Sequence, residues 1–395
     1  MDLAPPMAVA WSKKKNPPKN DRICYDRCAP SVGNLNLSHP RRHTRSIHLG
    51  PVAIGGGAPI SIQSMTTTLT EDAINTLAQI DDLAAAGCDM VRVAVPHIQA
   101  IAGLNQCVRK SPLPVIADVH FDEVLALAAL GAGVHGLRIN PGNLGRKSGL
   151  DQVLCEARDR NVVTRIGING GSLEKGMLRK HGGKLAQAMV ASAREALNRC
   201  EQLHVSEVKL SLKASNVRVM VDAYRLAVEE FHCPLHLGLT EAGTPWSGTI
   251  RSAAAIGSLL LDGIGDTIRV SLAGSPVHEV RVARELLVSL GLRAGAVLLA
   301  CPSCGRAHGD VAQIASRLEA KLGHWGRKDL VLAVMACEVN GPGEAKNADL
   351  GLALGPRDAV IFKHGEMLRR VPYAEAEAAV EVELARMARL DASHA

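Results

Sequence analysis

Short apolar runs and amphipathic stretches alternate along most of the chain. Eight runs rich in β-branched residues each end in polar residues or glycine, and a segment of helical periodicity follows them. The runs occupy residues 60–66, 90–96, 114–121, 136–141, 162–169, 207–213, 234–240 and 267–272. Strands that alternate with helices form a parallel sheet with right-handed crossovers. Eight such units in about 250 residues predict an α/β fold, a closed TIM-type (β/α)8 barrel. An open doubly wound sheet is the alternative, and the lack of a dinucleotide-binding motif disfavours it.

A second, smaller unit of the α+β type is predicted after the barrel. Its expected elements are a strand leading into Cys301, a helix over 310–322, a strand over 330–336, a hairpin around 363–366 and a final helix over 373–390. We therefore divide the chain into a disordered basic tail (1–44), a substrate-binding barrel (45–293) and a metal-binding domain (294–395).

Composition agrees with this division and disfavours several classes of protein. Aromatic residues make up only 2% of the chain, so the core must be aliphatic, as in a helix-covered parallel sheet. Residues 1–50 hold nine Lys and Arg against three Asp and Glu, and the remainder holds 36 of each. The positive excess thus belongs to the tail and gives no general reason to expect nucleic-acid binding. No run of about 18 apolar residues and no secretory signal is visible, so we expect a cytoplasmic protein without membrane association.

Polar residues cluster at the carboxyl ends of the predicted barrel strands, where barrel enzymes build their active sites. Four of them are cations embedded in apolar strands: Arg92, Arg138, Arg165 and Lys213. An unpaired buried guanidinium is costly, and arginine binds phosphate oxygens in a bidentate manner. The set predicts a phosphate or diphosphate substrate. Internal salt bridges with Asp118 are the alternative.

Two further residues of this region carry chemistry that an enzyme can use. Glu241 follows an apolar strand with little else acidic beside it. Such an environment favours the neutral carboxylic acid that a general acid requires, and pairing with an arginine is the alternative. His120 either donates to phosphate or orients Asp118, or else it is a structural histidine.

Three of the ten cysteines form the most specific motif of the chain. Cys301-Pro-Ser-Cys304 and Cys337, the latter followed by Glu-Val-Asn-Gly-Pro-Gly-Glu344, place thiolates at strand–loop junctions. Thiolates are ligands of iron–sulfur clusters and of zinc. Structural zinc sites usually have four Cys or His ligands, whereas this motif offers three cysteines and one acid. A catalytic cluster with an exchangeable oxygen ligand is therefore favoured over zinc.

At the level of motifs, the chain resembles the 4-hydroxy-3-methylbut-2-enyl diphosphate synthase family of the non-mevalonate isoprenoid pathway, in its bacterial two-domain form. The resemblance extends from about Arg45 to about Leu354. The motifs that carry it are Ser-Met-Thr at 64–66, Ala-Asp-Val-His-Phe-Asp at 117–122, Leu-Arg-Ile-Asn-Pro-Gly-Asn at 137–143, Gly-Ser-Leu-Glu-Lys at 171–175, Thr-Glu-Ala-Gly at 240–243, the Cys-Pro-Ser-Cys pair, and Asn-Gly-Pro-Gly-Glu at 340–344.

The resemblance implies a reaction, a cofactor and partners. The reaction is the two-electron reductive ring opening of 2-C-methyl-D-erythritol 2,4-cyclodiphosphate, with loss of water. The cofactor is one 4Fe–4S cluster held by Cys301, Cys304, Cys337 and Glu344. Flavodoxin or ferredoxin is the implied electron donor, and the implied assembly is a head-to-tail homodimer in which one subunit's barrel meets the other's cluster domain. Glu241 matches the acid/base carboxylate, and the matching substrate-lining positions are Arg92, His120, Arg138, Asn140, Arg165, Asn169, Lys213 and Ser271.

Two other functions fit parts of the pattern. A pterin- or corrinoid-type barrel methyltransferase with a structural metal appendage would also use an arginine-rich mouth. A redox-sensing binding protein would use the metal domain to control a partner through the basic tail. Neither requires Glu344 beside the cysteines. Metal analysis distinguishes the first from an iron–sulfur enzyme, and deletion of residues 1–40 distinguishes the second.

Overall fold

The structure is a computed structural model that describes residues 40–120, 122–140, 147–174, 176–322, 330–337, 343 and 345–392. Residues 1–39, among them Cys24 and Cys28, and Glu344 lie outside these ranges. The predictions of a disordered basic tail and of the fourth cluster ligand concern these residues. Residues 41–44 pack against the barrel: the Arg42 N–H donates to the Gly263 carbonyl over 3.0 Å, and Arg41 Nη1 donates to the Ala58 carbonyl over 2.6 Å. Residues 41–44, which the predicted boundary at 45 assigns to the tail, therefore contact the barrel.

A short antiparallel hairpin precedes the barrel. Its strands are β1 (Ile47–Leu49) and β2 (Val52–Ile54). Their buried side chains pack against residues at the beginning of three barrel strands. The residues in this contact are Ile47, Leu49, Ile54, Met90, Ile116 and Val163. The hairpin therefore covers the amino-terminal end of the barrel and leaves the opposite end for the functional site.

Eight parallel strands form the barrel. They are β3 (Ser61–Met65), β4 (Met90–Ala94), β5 (Val115–Asp118), β6 (Gly136–Ile139), β7 (Val163–Asn169), β8 (Val208–Lys213), β9 (His236–Leu237) and β10 (Thr267–Ile268). They pair in the order β8-β7-β6-β5-β4-β3-β10-β9. A parallel bridge between Leu210 and Leu235 closes the ring. The predicted TIM-type barrel is confirmed.

Helices cover the outside of the barrel. They are α1 (Ala73–Ala85), α2 (Ala100–Lys110), α3 (Glu123–Gly131), α4 (Lys147–Asp159), α5 (Met177–Lys180), α6 (Leu185–Gln202), α7 (Val217–Val228), α8 (Pro245–Leu261) and α9 (Pro276–Ser289), with a 3₁₀ turn at Gly170–Ser172. Local sequence sets several helix starts. Asp72, Asp122 and Asn216 accept backbone hydrogen bonds at the starts of α1, α3 and α7, and proline begins α8 and α9.

The C-terminal unit is a five-stranded mixed sheet with two long helices. Its elements are β11 (Val297–Ala300), α10 (Val311–Leu322), β12 (Val331–Met335), β13 (Leu350–Leu354), β14 (Asp358–Lys363), β15 (Glu366–Pro372), a 3₁₀ turn at Tyr373–Glu375 and α11 (Ala376–Ala392). The strands pair in sequence order, parallel as far as β13 and antiparallel beyond it. The predicted small α+β unit is therefore present.

Among the described elements of this unit, strand β13 is the one that the sequence did not predict. Gly351 interrupts its apolar pattern, and glycine within a strand usually weakens it. The structure shows why glycine occurs there: a Cβ atom on Gly351 would lie 1.9 Å from the Phe362 ring of β14. The absent side chain makes room for the aromatic ring. Among the described helices of both units, none is long and apolar enough to span a bilayer.

Candidate active site

Asp118 ends β5 and is the acidic centre of a group of cations in the barrel mouth. Its buried carboxylate lies 3.4 Å from Arg92 Nε and 3.3 Å from Arg138 Nη1. His120 Nε2 lies 3.5 Å from the same carboxylate and 2.6 Å from Arg138 Nη1. Burial alone would raise the pKa of Asp118, but the charge of Arg92, a hydrogen bond from His120 and the charge of Arg138 together hold that pKa well below its ordinary value. Asp118 is therefore ionised at neutral pH.

Arg165 and Lys213 are buried cations without such a partner. Their residues are 3% and 7% exposed, and neither forms an ion pair within the part of the chain that the structure describes. Burial lowers the pKa of both groups well below the ordinary values, and neighbouring arginines lower it further. A Cβ atom on Gly238 would lie 2.9 Å from Lys213 Nζ, so this glycine leaves space for the ammonium group.

The sequence offered two explanations for the cations, and each applies to different members of the set. Arg92 and Arg138 form internal salt bridges with Asp118. Arg165 and Lys213 remain unbalanced, because the described mouth has more buried cations than acids. Such a region has a positive potential that an anion of the right size would offset. The geometry thus retains the predicted capacity for a phosphate-bearing ligand.

The three polar neutral residues of the predicted set lie at the same end of the barrel. Asn140 directly follows β6 and its Nδ2 donates to Ser172 Oγ over 3.0 Å. Asn169 ends β7 as the register partner of Lys213 on β8. Ser271 is half-buried, three residues beyond β10. The backbone N–H next to it, on Leu272, donates to Glu279 Oε1 over 2.8 Å, which fixes this loop.

Glu241 differs from its expected environment. The sequence predicts a sheltered carboxyl group at the end of a strand over 234–240, but β9 ends at Leu237. Glu241 therefore lies on the loop between β9 and α8, where it is exposed and has a left-handed backbone with φ of 53°. Its carboxylate has no hydrogen-bond or ion-pair partner among the described residues, so the alternative of a structural pair with arginine is not observed there.

Several polar residues of the barrel interior were not predicted as part of the site. Lys209 and His236 are 1% and 0% exposed, and Glu279 of α9 is 6% exposed. One signal in the sequence could have identified Lys209. It precedes Ser211 and Lys213 at intervals of two residues, so all three must project from the same side of β8. No comparable pattern marks His236 or Glu279.

The three cysteines of the second motif lie around one edge of the C-terminal sheet. Cys301 follows β11 and Cys337 follows β12, and these strands are adjacent and parallel. The Cys301 N–H donates to the Val334 carbonyl over 2.9 Å, and the His308 N–H donates to the Ala336 carbonyl over 2.8 Å. Cys337 is buried, Cys301 is half-buried and Cys304 is exposed.

The described residues do not bring three or more Cys, His, Asp or Glu side chains close enough to hold a single metal ion. Glu344, the fourth predicted ligand, lies outside the described ranges. A cubane cluster, however, takes each thiolate on a different iron, so its protein ligands lie further apart than those of one ion. The donor set of three thiols on two adjacent loops fits a cluster better than it fits zinc.

Comparison with known proteins identifies the family. A model of the GcpE TIM-barrel domain matches residues 44–284, and a model of the GcpE protein C-terminal domain matches residues 297–386. The chain is 50% identical to 4-hydroxy-3-methylbut-2-en-1-yl diphosphate synthase (flavodoxin) of Geobacter sulfurreducens over 345 residues, which cover 87% of this chain and 98% of that protein. It is 47% identical to the protein of the same name from Clostridium acetobutylicum over 332 residues, 84% of this chain and 95% of that one. This chain therefore belongs to the GcpE family of 4-hydroxy-3-methylbut-2-en-1-yl diphosphate synthases.

Proposed function

We propose that the protein converts 2-C-methyl-D-erythritol 2,4-cyclodiphosphate to (E)-4-hydroxy-3-methylbut-2-enyl diphosphate by reductive ring opening and loss of water. It is thus an oxidoreductase of isoprenoid precursor biosynthesis. The observation that carries this proposal is the excess of buried positive charge in the barrel mouth, where Arg165 and Lys213 have no acidic partner among the described residues. A cyclic diphosphate supplies the missing negative charge. Family membership favours this function over the methyltransferase and the redox sensor.

The barrel residues would bind and orient the substrate. Arg92, Arg138, Arg165 and Lys213 hold the diphosphate, while His120, Asn140, Asn169 and Ser271 contact the remaining oxygens. The phosphate oxygen that leaves carbon gains negative charge as the ring opens. Fixed cations in a site of low dielectric stabilise that charge without reorganisation. The salt bridges of Asp118 keep Arg92 and Arg138 in place before the substrate arrives.

Glu241 would handle the proton of the dehydration. It lies on the loop that leaves β9 at the carboxyl end of the barrel. We assign to it the transfer of a proton to the departing hydroxyl oxygen, which converts a poor leaving group into water. The lack of a side-chain partner leaves its carboxyl group available for that role.

Cys301, Cys304 and Cys337, together with Glu344, would hold one 4Fe–4S cluster. The thiols fit this group because thiolates are the ligands that such clusters require, and because the three of them occupy two loops at one sheet edge. When bound, the cluster supplies electrons and a Lewis-acidic iron. We further propose flavodoxin or ferredoxin as the electron donor, and a head-to-tail homodimer in which the cluster domain of one subunit meets the barrel of the other.

Anaerobic reconstitution tests the proposal directly. The full chain, supplied with iron, sulfide, the cyclic diphosphate and reduced flavodoxin, should form the linear diphosphate, detectable by chromatography. It should contain about four irons and absorb broadly near about 410 nm. Cys304→Ser should lose most of the iron, the absorbance and the turnover, because one thiolate is missing.

Cys155→Ser is the matched control for this experiment. Cys155 is half-buried in α4 and belongs to no motif, so its replacement should retain both the iron content and the product. A Cys304→Ser protein that keeps four irons and full turnover would contradict the ligand assignment. A wild-type protein that contains iron but forms no product would contradict the reaction.

A further inference from the structure

The barrel interior contains a second layer of polar residues beneath the proposed substrate site. Lys209 lies four residues before Lys213 on β8, so it faces the same side about 13 Å nearer the amino-terminal end. It is the register partner of Arg165 on β7, and both side chains are buried. Aliphatic residues usually fill this part of a barrel. A buried lysine beside a buried arginine therefore requires a physical explanation.

Lys209 has little to compensate a positive charge. Its Nζ has a single hydrogen-bond partner among the described residues, the Met90 thioether at 3.6 Å, and a thioether is a weak acceptor. The charged and titratable groups that face it are Arg165 of β7, Arg92 of β4, His236 of β9 and Asp266 of the loop before β10. Asp266 is already engaged with the Leu235 N–H at 2.8 Å and with Arg41 Nη2 at 3.4 Å.

His236 contributes a neutral side chain to this layer. His236 Nε2 lies 3.5 Å from Arg165 Nη1. A guanidinium group only donates, so Nε2 must accept and the ring must be neutral, with its hydrogen on Nδ1. That Nδ1 is buried and has no partner among the described residues. The layer thus contains a buried neutral imidazole beside Arg165.

The same surroundings place the titration of Lys209 near neutral pH. Burial lowers the pKa of Lys209 to about 7, and the charges of Arg165 and Arg92 contribute to this decrease. Burial also lowers the pKa of His236 well below its ordinary value, together with Arg165 and Lys213. At pH 8 the amine of Lys209 is therefore mostly neutral, and it can accept a proton if the positive potential around it is reduced.

We propose that Lys209 takes up a proton when the cyclic diphosphate binds, so that the charge beneath the arginines is adjusted to the charge of the ligand. This inference rests on the proposed function, because it requires the diphosphate to bind beside Arg165 and Arg92. Burial is the main cause of the lowered pKa of Lys209, and repulsion from Arg165 and Arg92 adds to it; two negative charges beside these arginines offset that repulsion. Lys209 acts through Arg165 and is a positioning residue, since it lies too deep to contact the substrate itself.

The direction of the pH dependence follows from linkage. Below pH 7 Lys209 is already protonated in the free protein, so binding takes up few protons through it. At pH 8 a group with a pKa of about 7 is about 10% protonated, so uptake through Lys209 can reach about 0.9 proton per site. Affinity must then weaken as pH rises above 7, by up to about tenfold per pH unit for each proton taken up.

Isothermal titration calorimetry of the oxidised holoenzyme measures this uptake. The ligand is the cyclic diphosphate itself without any reductant, so no turnover occurs. Each of its phosphorus atoms carries one strongly acidic hydroxyl, so the ligand exchanges no protons near neutral pH. Comparison of Tris with Pipes-type buffers, which differ in ionisation enthalpy, gives the number of protons bound. We expect uptake at pH 8. Lys213, whose pKa burial also lowers, contributes to the total, and the part that depends on Lys209 should be much smaller at pH 6.

Lys209→Met assigns the proton to its site. Methionine has a similar length and suits an apolar position beside Met90, and Lys209→Gln serves as a second variant if Lys209→Met does not fold. Either variant should reduce the uptake at pH 8 by at least about half a proton and should flatten the pH dependence of the dissociation constant. Lys110→Met, which replaces an exposed lysine at the end of α2, should behave as the wild type.

The possible outcomes separate the two proposals. A wild-type holoenzyme that does not bind the cyclic diphosphate contradicts the proposed function, and with it this inference. A wild-type holoenzyme that binds without proton uptake at pH 8, or whose uptake both Lys209 variants retain in full, overturns the role of Lys209 and leaves the proposed function intact.

Discussion

At the scale of single residues, the mouth of the barrel depends on an imbalance of charge. Asp118 forms salt bridges with Arg92 and Arg138 at 3.4 and 3.3 Å, and the described structure provides no equivalent acid for Arg165 or Lys213. Breaking a buried pair is far more costly than never forming one. Asp118 is therefore required for a stable apo-site, whereas the unpaired cations provide the attraction for the ligand.

The first prediction concerns Asp118→Asn. Without the carboxylate, Arg92 and Arg138 are buried cations with no counter-ion, so the free energy of unfolding at pH 7 should fall by about 3–5 kcal/mol. Urea denaturation measures this change. Because the pKa of Asp118 is lower in the folded state, its ionic contribution is fully present above its unfolded pKa of about 3.9 and is lost as pH falls towards the folded value.

The difference between wild type and Asp118→Asn should thus shrink in acid below about pH 4. Asp81→Asn is the control, since Asp81 is exposed on α1; it should change the free energy of unfolding by less than about 0.5 kcal/mol. Equal stability of the two variants at pH 7 would show that Asp118 does not hold the arginines.

Glu241→Gln tests the proposed acid. The amide keeps the size of the side chain but cannot donate a proton to the hydroxyl group, so turnover should fall by about 10² or more. Iron content and visible absorbance should not change. Glu229→Gln, at an exposed position after α7, should leave turnover intact. If Glu241→Gln retains wild-type turnover, another group supplies the proton.

At the scale of elements, the sequence predicts the barrel because its strands are buried on both faces. Such strands have continuous apolar runs, which the helical segments separate clearly. The strands predicted over 234–240 and 267–272 are longer than β9 and β10. Leu239 and Val270 remain buried, at 0% and 1% exposure, although they lie beyond the paired residues. Burial and strand pairing therefore end at different positions. Hydrophobicity in the sequence indicates burial but not strand pairing.

The distinction between burial and strand pairing also limits what the sequence predicts about the site. The place of each cation in its run predicts a location at the carboxyl end of the barrel. In the structure Lys213 ends β8, whereas Arg165 lies nearer the beginning of β7 as the register partner of Lys209. The partner of each cation does not follow, because it depends on register between strands. Asp118 is the register partner of Arg138, and no periodicity within one strand shows this. The exposed position of Glu241 has the same origin, since β9 ends four residues earlier than the residue itself.

The amino-terminal hairpin provides a prediction at this scale. Leu49 of β1 is 1% exposed and packs in the cluster that covers the bottom of the barrel. Leu49→Ala should lower the free energy of unfolding by about 2–5 kcal/mol in urea denaturation, because a cavity remains in a closed core. Leu69→Ala is the control at 74% exposure, with an expected change below about 0.5 kcal/mol. Equal effects would mean that the hairpin is not part of the folded core.

At the scale of the whole molecule, no hydrophobic cluster among the described residues contains side chains of both the barrel and the C-terminal unit. The barrel core extends to Leu287, with Leu290 and Leu292 packed against it. The core of the C-terminal unit begins with Ala296 and Leu298 at its margin. The hydrogen bonds among the described residues run within 40–293 or within 294–392. A domain boundary near residue 293 is therefore our proposal.

Truncation tests that boundary. Residues 1–293 keep Leu287 and the ion pair of Arg293 with Asp89, whose Nη2–Oδ1 and Nη1–Oδ2 distances are 2.9 and 3.1 Å, so the barrel should fold alone, as domains of about 250 residues commonly do. The fragment should unfold cooperatively on heating when followed by circular dichroism, and it should bind no iron because the cysteine motifs are absent. Residues 1–284 form the matched control: they lack Leu287, which is fully buried, and Arg293, so their melting temperature should be clearly lower. If 1–293 is unfolded while the full chain is stable, the C-terminal unit contributes to the barrel, and the proposed division into two self-sufficient domains is wrong.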